Sequence, residues 1–247
     1  MSFFRPCLIV PVFNHGISAQ RLAVKVAPLG LPLILVDDGS TRERDALAEA
    51  AKRPQVTLLR HEMNTGKGGA VKTALRAAAA QGYTHALQID ADGQHDVEDI
   101  PRFLAMAQEE PGAVICGAPR FDETAPGIRR IGRYFTHIWI WVETLSFEIE
   151  DSMCGFRVYP LRETLPLLSR TRLGDRMDFD PEILVRLNWS GVPIKSLPTK
   201  VIYPEAGSSN FRLVADNALI SLMHTKLVLG MIARLPFLLL RKWRRAT

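Results

Sequence analysis

The sequence contains few cysteines, and they are not arranged as a recognisable site. Cys7, Cys116 and Cys154 lie far apart, form no CxxC pair and have no histidines at the spacing of a zinc site. A disulfide framework and a structural zinc site are therefore not expected, and we interpret the cysteines as buried, reduced thiols. The 247 residues also contain no internal repeat, no low-complexity segment and no glycine- or serine-rich linker.

Neither an export signal nor a basic groove is expected from the sequence. The apolar run that follows Arg5 is too short for a signal peptide and has no small-residue cleavage site, so we expect a cytoplasmic protein. The net charge is +5, but residues 1–233 are net neutral because five cations and no acid lie beyond them. These cations are Arg234, Arg241, Lys242, Arg244 and Arg245. A nucleic-acid partner is therefore not expected.

Short apolar runs alternate with helical patterns through the first half of the chain. Strands are predicted at 7–13, 32–38, 55–60, 85–90 and 113–118, and helices near 18–28, 41–53, 67–81 and 97–109. This alternation is typical of an α/β fold in which helices cover both faces of a parallel sheet. Beyond residue 120 we predict a long amphipathic stretch at 129–148, a helix from Phe179 and a strand within 193–204.

Polar side chains follow three of the predicted strands. Asn14 follows the first strand, Asp37 and Asp38 end the second, and Asp90 and Asp92 end the fourth. Ligands bind at the carboxyl ends of strands in parallel sheets, and these ends meet at one edge. The repetition of polar strand ends therefore predicts a binding site at that edge.

The stretch “DADGQHD” at residues 90–96 suggests a cation site. In an extended chain the carboxylates of Asp90 and Asp92 leave the same face, and they repel each other unless a positive charge lies between them. Mg²⁺ or Mn²⁺, bound also by substrate phosphates, fits such ligands, and Gln94 adds a neutral oxygen. The copy “DFD” at 178–180 has no apolar strand before it, so we favour the first. Asp96 is predicted to cap the helix that follows.

The glycine-rich stretch “NTGKGGAVKTA” at residues 64–74 is not a nucleotide-binding motif of the commonest kinds. His61 and Gly68 stand where a Walker loop requires glycine and Ser or Thr, and only one glycine follows the first strand, which excludes a Rossmann fingerprint. A helix that begins near Lys67 still favours an anion or a nucleotide, with a plain tight turn as the alternative.

Seven motifs between residues 7 and 212 carry a family resemblance. They are “PVFNHG”, “VDDGS”, “RHEMNTGKGGA”, “DADGQHD”, “GAPRF”, “DSMCGFRVY” and “VIYPEAGSSNF”. In this order and spacing they resemble family-2 glycosyltransferases with the GT-A fold, a Rossmann-like, mostly parallel sheet flanked by helices. The chain is most similar to the branch of dolichyl-phosphate mannosyltransferases and polyprenyl-phosphate glycosyltransferases.

The resemblance implies a nucleotide-sugar donor, either a UDP- or a GDP-sugar. The residues implied to bind it are Pro11, Asn14, Asp37, Asp38, Arg60, Asn64, Gly66, Lys67, Asp90 and Arg120, with the metal on Asp90, Asp92 and Gln94. A metal on the diphosphate would stabilise the negative charge that grows as the bond from sugar to phosphate breaks.

The second half of the chain is implied to bind the acceptor. The implied acceptor-side residues are Asp151, Gly155, Phe156 and Arg157, and the implied phosphate-binding arginines are Arg120, Arg129, Arg130 and Arg133. Cys154 replaces a serine that is common in the motif. In the inverting displacement a hydroxyl acceptor needs a general base, either Asp178 or Asp180, whereas an ionised lipid phosphate needs none. The alternatives are that Asp180 caps a helix, that Asp151 has a structural role, and that Arg129 and Arg130 are solvated cations on a helix face.

The most hydrophobic part of the chain is at its C-terminal end. Residues 218–240 reach the length of a membrane span, but His224, Lys226 and Arg234 interrupt them and Pro236 is expected to kink the helix. We therefore favour an amphipathic helix on the membrane surface, with a helix packed on the domain as the alternative.

These observations predict a metal-dependent, inverting glycosyltransferase with a lipid-linked acceptor, either a polyprenyl phosphate or a lipid hydroxyl, on the inner face of the cytoplasmic membrane. The catalytic candidates are Asp92, Asp178 and Arg133. The predicted division is a glycosyltransferase domain at 1–212, with a donor half at 1–119 and an acceptor half at 120–212, followed by a helical segment at 213–247. The alternatives are a nucleotidyltransferase of similar α/β fold and a non-catalytic protein that binds sugar nucleotides.

Overall fold

A computed structural model describes residues 3–120, 127–201 and 212–246, without the side chains of 120, 127–135, 213 and 245–246. The strands are β1 (Pro6–Val12), β2 (Leu33–Asp37), β3 (Val56–Arg60), β4 (His85–Gln88), β5 (Val114–Arg120), β6 (Arg157–Pro160) and β7 (Ile194–Lys200). The helices are α1 (Gly16–Val26), α2 (Arg44–Ala50), α3 (Lys67–Ala80), α4 (Ile100–Glu109), α5 (Gly127–Thr144), α6 (Leu161–Arg170), α7 (Phe179–Trp189) and α8 (Leu213–Ala246).

All seven strands form one mixed sheet in the order β3-β2-β1-β4-β6-β5-β7. β1 lies parallel to β2 and to β4, and β3 lies parallel to β2, so the chain leaves β1 in opposite directions on its two sides. Such a point, where the strand order reverses, opens a crevice at the carboxyl ends of the strands. The sheet therefore places the polar residues that follow β1, β2 and β4 around one crevice.

The central strands are buried on both faces, as their continuous apolar sequences predict. Leu8, Ile9 and Val10 in β1 and every residue of β2 are buried. Helix α3 covers one face with buried residues four positions apart, Ala70, Ala74 and Ala78, which therefore lie on one side of the helix. Their small side chains let α3 lie close to the sheet.

The structure confirms the predicted α/β fold and corrects it in the second half. The sequence pattern did not predict β6 or α6. β6 runs antiparallel to both β4 and β5, so the sheet is not parallel throughout. β4 ends at Gln88, Asp90 follows the strand and Asp92 lies in a turn at 91–92, so the two aspartates do not continue the strand as expected.

Helix α8 has two faces with different surroundings. One face packs against α5 and α7, where Ile220, Leu227 and Met231 are buried. The opposite face leaves Phe237 59% exposed and Trp243 66% exposed. The helix continues through Pro236. One face of α8 therefore packs on the domain, as the alternative to a membrane-surface helix predicts. Another apolar face is not covered by the described residues.

Helix α8 also meets the length and composition of a membrane span, although its charged residues argued against one. Within the described residues, Val214–Arg244 has a mean hydropathy of 1.4 over its apolar window, of which 22% is buried in the protein. No second helix among the described residues meets these conditions.

Candidate active site at the carboxyl ends of the strands

Asp38 organises the loop between β3 and α3. Its Oδ1 accepts hydrogen bonds from the Thr65 backbone N–H at 2.9 Å and from the Thr65 hydroxyl at 2.7 Å, and it lies 2.7 Å from His61 Nδ1. Its Oδ2 accepts from Asn64 Nδ2 at 2.9 Å and from the Gly66 backbone N–H at 2.7 Å. Gly66 has a φ of 106°, which favours glycine. The carboxylate therefore holds the segment that leads into α3.

Asn14 and Asp37 hold the neighbouring loop in the same way. Asn14 has a φ of 57°, and its Oδ1 accepts hydrogen bonds from the backbone N–H groups of Thr41 and Arg42. Asp37 is fully buried, and its carboxylate accepts from the Ser40 backbone N–H and from Arg60 Nε, each at 2.8 Å. The nucleotide contacts predicted for Asn14, Asp37, Asp38, Arg60, Asn64 and Gly66 stay predictions, as does that of Pro11, which is buried in β1.

Lys67, the first residue of α3, joins two carboxylates from distant parts of the chain. Its Nζ lies 2.7 Å from Asp90 Oδ2 and 2.7 Å from Asp180 Oδ2. Burial alone would lower the pKa of Lys67, but the charges of Asp180 and Asp90 raise that pKa well above its ordinary value. The ammonium group is therefore charged and fixed between the end of β4 and the start of α7.

The carboxylate of Asp90 is held on several sides. Gly155 packs so closely against it that an added Cβ would lie 2.1 Å from Asp90 Oδ2. His95 Nε2 lies 3.9 Å from the same oxygen, and its ring stacks on Phe156. Burial alone would raise the pKa of Asp90, whereas Lys67 and His95 hold that pKa well below its usual range. Asp90 is therefore an ionised carboxylate in a fixed position.

Asp92 has fewer positive partners than Asp90. Its Oδ1 accepts a hydrogen bond from the Gln94 backbone N–H at 3.0 Å. Burial, and after it the negative charge of Asp90, raises the pKa of Asp92, and His95 and Lys67 offset only part of this. A divalent cation would supply the missing positive charge, so the carboxylate oxygens fit Mg²⁺ or Mn²⁺ in their chemistry.

A cation at this position would require ligands beyond the protein. Among the described residues, no group of three or more His, Cys, Asp or Glu side chains is arranged to hold a metal ion. Mg²⁺ is commonly bound by one or two carboxylates together with substrate phosphates, and Asp90 and Asp92 match that pattern. The assignment of the metal to Asp90, Asp92 and Gln94 stays a prediction.

The two base candidates have different surroundings. Asp180 lies in the first turn of α7, with Oδ2 on Lys67 and Oδ1 3.8 Å from Arg157 Nη1, so it is not a helix cap. Asp178 precedes α7, and its Oδ1 accepts from the Arg176 backbone N–H at 3.1 Å. Asp178 therefore lies at the helix boundary, while Asp180 forms part of the charged cluster with Lys67 and Asp90.

All four residues predicted on the acceptor side, Asp151, Gly155, Phe156 and Arg157, are buried in the protein. Arg157 is fully buried, and its guanidinium donates to the carbonyl oxygens of Ser152 and Asp180. Phe156 is also fully buried, and the Asp151 carboxylate accepts from the Met153 and Cys154 backbone N–H groups. The side chains of Phe156 and Arg157 are inside the core, and Arg157 holds the 151–156 segment behind Asp90. The acceptor-side role of these residues stays a prediction.

The side chains of Arg120 and Arg133, and of Arg129 and Arg130, lie outside the described residues. Asp96 accepts from the Glu98 backbone N–H at 3.1 Å, which confirms it as a cap. His95 and His61 contact the key aspartates and were not predicted. Their only signal in the sequence was their position beside “DAD” and “NTGKGG”.

Comparison with known proteins is consistent with this geometry. A protein-family model described as glycosyl transferase family 2 matches residues 7–165. The undecaprenyl-phosphate mannosyltransferase of Micrococcus luteus is 35% identical over 218 residues, which cover 83% of this chain and 86% of that protein. The dolichyl-phosphate beta-glucosyltransferase of Dictyostelium discoideum is 31% identical over 212 residues, which cover 76% of this chain and 63% of that protein.

A solved structure shows the same fold at low sequence identity. Glucosyl-3-phosphoglycerate synthase from Mycobacterium tuberculosis, in complex with phosphoglyceric acid, superposes with a TM-score of 0.65 at 14% identity. The match covers 94% of this chain and 80% of that chain. The mixed sheet with its acidic strand ends is therefore a GT-A-like fold. The chain belongs to glycosyltransferase family 2 and is an enzyme of that family.

Proposed function

We propose that this glycosyltransferase moves a sugar from a nucleotide-sugar donor to a polyprenyl phosphate by a single inverting displacement that depends on a divalent cation. The observation that carries the proposal is the cluster of Asp90, Lys67 and Asp180 at the crevice, with Asp92 beside it. Relatives of this chain are named for undecaprenyl phosphate and dolichyl phosphate, which supports a lipid phosphate as the acceptor.

Asp90 and Asp92 would hold the cation, and Gln94 is the third predicted ligand. When bound there, the cation would neutralise the charge that develops on the diphosphate of the donor. The ammonium group of Lys67 lies 2.7 Å from Asp90 Oδ2, next to this position. It is fixed by two carboxylates, so it is oriented before the donor arrives and needs no reorganisation during the reaction.

In the proposed step an oxygen of the acceptor phosphate forms a bond to the anomeric carbon. The bond from that carbon to the donor diphosphate breaks, and its electron pair leaves with the nucleoside diphosphate. An ionised phosphate has no proton to lose, so no general base is required. This agrees with the commitment of Asp180 to Lys67 and Arg157, although Asp178 remains the candidate base for a hydroxyl acceptor.

The uncovered face of α8 supports a membrane location for the acceptor. Leu229, Ile232 and Phe237 are exposed on the helix, and Trp243 with the cations near the end of α8 provides the amphipathic groups that bind membrane interfaces. We propose that the protein binds the inner face of the cytoplasmic membrane through this face, which would bring a lipid-linked acceptor to the enzyme.

The proposal is tested by a panel of UDP- and GDP-sugars with and without Mn²⁺. Ligand binding raises the free energy of unfolding by RT ln(1 + [L]/Kd). The cognate donor should therefore raise the unfolding temperature more than the other sugars do, and it should do so only when Mn²⁺ is present. That donor and a short polyprenyl phosphate should then yield a nucleoside diphosphate and a glycosyl lipid. Release of pyrophosphate, or transfer that persists in EDTA, would contradict the proposal.

A further inference from the structure

A cavity separate from the charged cluster lies between α3 and the segment that follows α6. Its volume is about 530 Å³, and its lining includes Arg76, Arg170, Arg172, Lys72, Thr73 and His61. We call it the basic pocket. None of Asp37, Asp38, Asp90 or Asp92 lines it. Pockets of this size hold small organic ligands.

The basic pocket carries uncompensated positive charge. Arg76, Arg170 and Arg172 are exposed, and no ion pair from any of them to an acidic side chain is found among the described residues. Lys72 differs, because its ammonium group is 2.5 Å from Asp175 Oδ1 and also donates to the carbonyls of Leu173 and Gly174. The lysine is therefore neutralised, and the three exposed arginines supply the remaining positive charge of the lining.

Arg76 is the cation of helix α3 that has no acidic partner among the described residues. Lys67 and Lys72, the other cations of α3, are paired with carboxylates from other segments, and the helix itself contains no acidic residue. Asp175 also lines the pocket, but it is paired with Lys72, so the charge of the three arginines remains in excess. A concave surface with such an excess attracts a ligand of the opposite sign. The planar guanidinium group of arginine is suited to paired hydrogen bonds with phosphate oxygens.

We propose that the basic pocket binds a phosphate-bearing ligand, either a phosphomonoester or a diphosphate, at a site other than the donor site. The phosphate could belong to a soluble compound or to a lipid headgroup. His61 forms the connection to the donor side, because its Nε2 lies 3.0 Å from Thr73 Oγ1 and its Nδ1 lies 2.7 Å from Asp38 Oδ1. A ligand on Arg76 and Arg172 would therefore adjoin the loop that Asp38 holds.

The proposal is tested by calorimetric titration of the full chain with inorganic phosphate and with pyrophosphate in EDTA. EDTA removes the cation, so binding through Asp90 and Asp92 is excluded and the result does not depend on the proposed reaction. The double variant Arg76→Gln/Arg172→Gln should bind at least about tenfold more weakly than the wild type, as expected for two lost charge-assisted contacts. The control Arg21→Gln/Arg162→Gln, which removes two exposed arginines elsewhere, should bind as the wild type does.

Vesicles of phosphatidylcholine with and without phosphatidic acid distinguish the two sources of phosphate. Binding to the phosphatidic acid vesicles that requires Arg76 and Arg172, with no heat from the soluble anions, would assign the pocket to a lipid headgroup. Binding of the soluble anions that requires the same arginines would assign it to a soluble ligand. Equal binding by both double variants, or no binding of any probe, would overturn the proposal.

Discussion

The carboxyl ends of β2 and β4 each carry two aspartates, but the structure uses the two pairs differently. At the end of β2, both oxygens of Asp37 and both of Asp38 have hydrogen-bond donors within the protein. At the end of β4, Asp90 is paired with Lys67, while Asp92 accepts a single hydrogen bond within the described part of the chain, from the Gln94 backbone N–H. The carboxylates of Asp37 and Asp38 hold loops in position. Those of Asp90 and Asp92 retain negative charge that a cation can neutralise.

The difference shows that two acids at a strand end do not by themselves define a metal site. The deciding property is the number of donors that the following segments direct at each carboxylate. The segment at 61–66 supplies backbone and side-chain donors to Asp38, whereas the short turn after Asp92 supplies one backbone N–H. A carboxylate whose hydrogen-bonding capacity is already filled has little left for a cation.

The largest expected effect is the loss of sugar-transfer rate in Asp92→Asn, which distinguishes Asp92 from aspartates with a purely structural role. Asp92→Asn keeps an oxygen for the Gln94 backbone N–H but removes the charge that would bind the cation. We expect the rate of sugar transfer to fall by about 10³-fold, the scale of a lost electrostatic contact to the transition state. Initial rates at saturating donor and Mn²⁺ would measure it.

Asp96→Asn is the matched control, because Asp96 lies in the same stretch but caps the short helical turn at Val97–Asp99. We expect it to transfer sugar at a rate close to that of the wild type. If Asp92→Asn were as fast as the wild type, the assignment of a catalytic cation to the end of β4 would be wrong. The contrast with the end of β2 would then no longer hold.

The second effect concerns stability at the end of β2. Asp38→Ala would leave the Thr65 and Gly66 backbone N–H groups without their acceptor. Gly66 is buried and Thr65 is exposed, so the unsatisfied Gly66 donor costs about 1–3 kcal/mol and the lost Thr65 hydrogen bonds add to it. We therefore expect the free energy of unfolding to fall by about 3 kcal/mol. Urea denaturation would measure it, with the exposed Asp45→Ala as a control that changes stability little. A loss for Asp38→Ala no larger than that of the control would show that Asp38 is not a scaffold.

The third effect tests how tightly Asp90 is positioned. In Gly155→Ala the new Cβ would lie 2.1 Å from Asp90 Oδ2, so the carboxylate must move relative to Lys67. A displacement of about 1 Å at a reacting centre can cost about 10²-fold in rate, and we expect a loss of about that size. In Gly112→Ala the nearest atom is 4.0 Å from the new Cβ, so this variant should keep its rate. Equal rates in both variants would mean that the position of Asp90 is not critical.

The first half of the fold was predictable because its signals are local. β1 to β5 are apolar runs bounded by polar residues, and each was predicted to within a few residues. β6 has four residues, and its place between β4 and β5 depends on antiparallel pairing with segments far away in sequence. α6 contains Pro166, which weakens any local helical signal. Elements defined by long-range pairing therefore escaped the sequence pattern.

The features of the site also differ in whether local sequence or long-range contacts determine them. The positions of Asp37, Asp38, Asp90 and Asp92 at strand ends follow from the order of strands and could be predicted. That Lys67 joins Asp90 to Asp180 could not, because it requires the three-dimensional position of α7. The burial of Arg157 is a further example, since a motif gives the residue type but not the carbonyl oxygens that surround it.

The smallest expected effect is the pH dependence of stability that Asp92 contributes without metal. Burial and the charge of Asp90 raise the pKa of Asp92 in the folded protein above its value in the unfolded chain. As the pH rises through the ordinary carboxyl range, the unfolded chain releases this proton before the folded protein does, so the wild type loses stability relative to Asp92→Asn. Urea denaturation in EDTA from acid to neutral pH should show this difference growing and then levelling off above the raised pKa.

Added Mn²⁺ should reverse that order at neutral pH, because the ionised wild-type site binds the cation and Asp92→Asn does not. The reversal separates a carboxylate that awaits a cation from one that is merely buried in an unfavourable position. A buried carboxylate without a cation would leave the variant more stable in both EDTA and Mn²⁺. If Mn²⁺ stabilised both proteins equally, its binding site would lie elsewhere, and the end of β4 would resemble the end of β2 in having only a structural role.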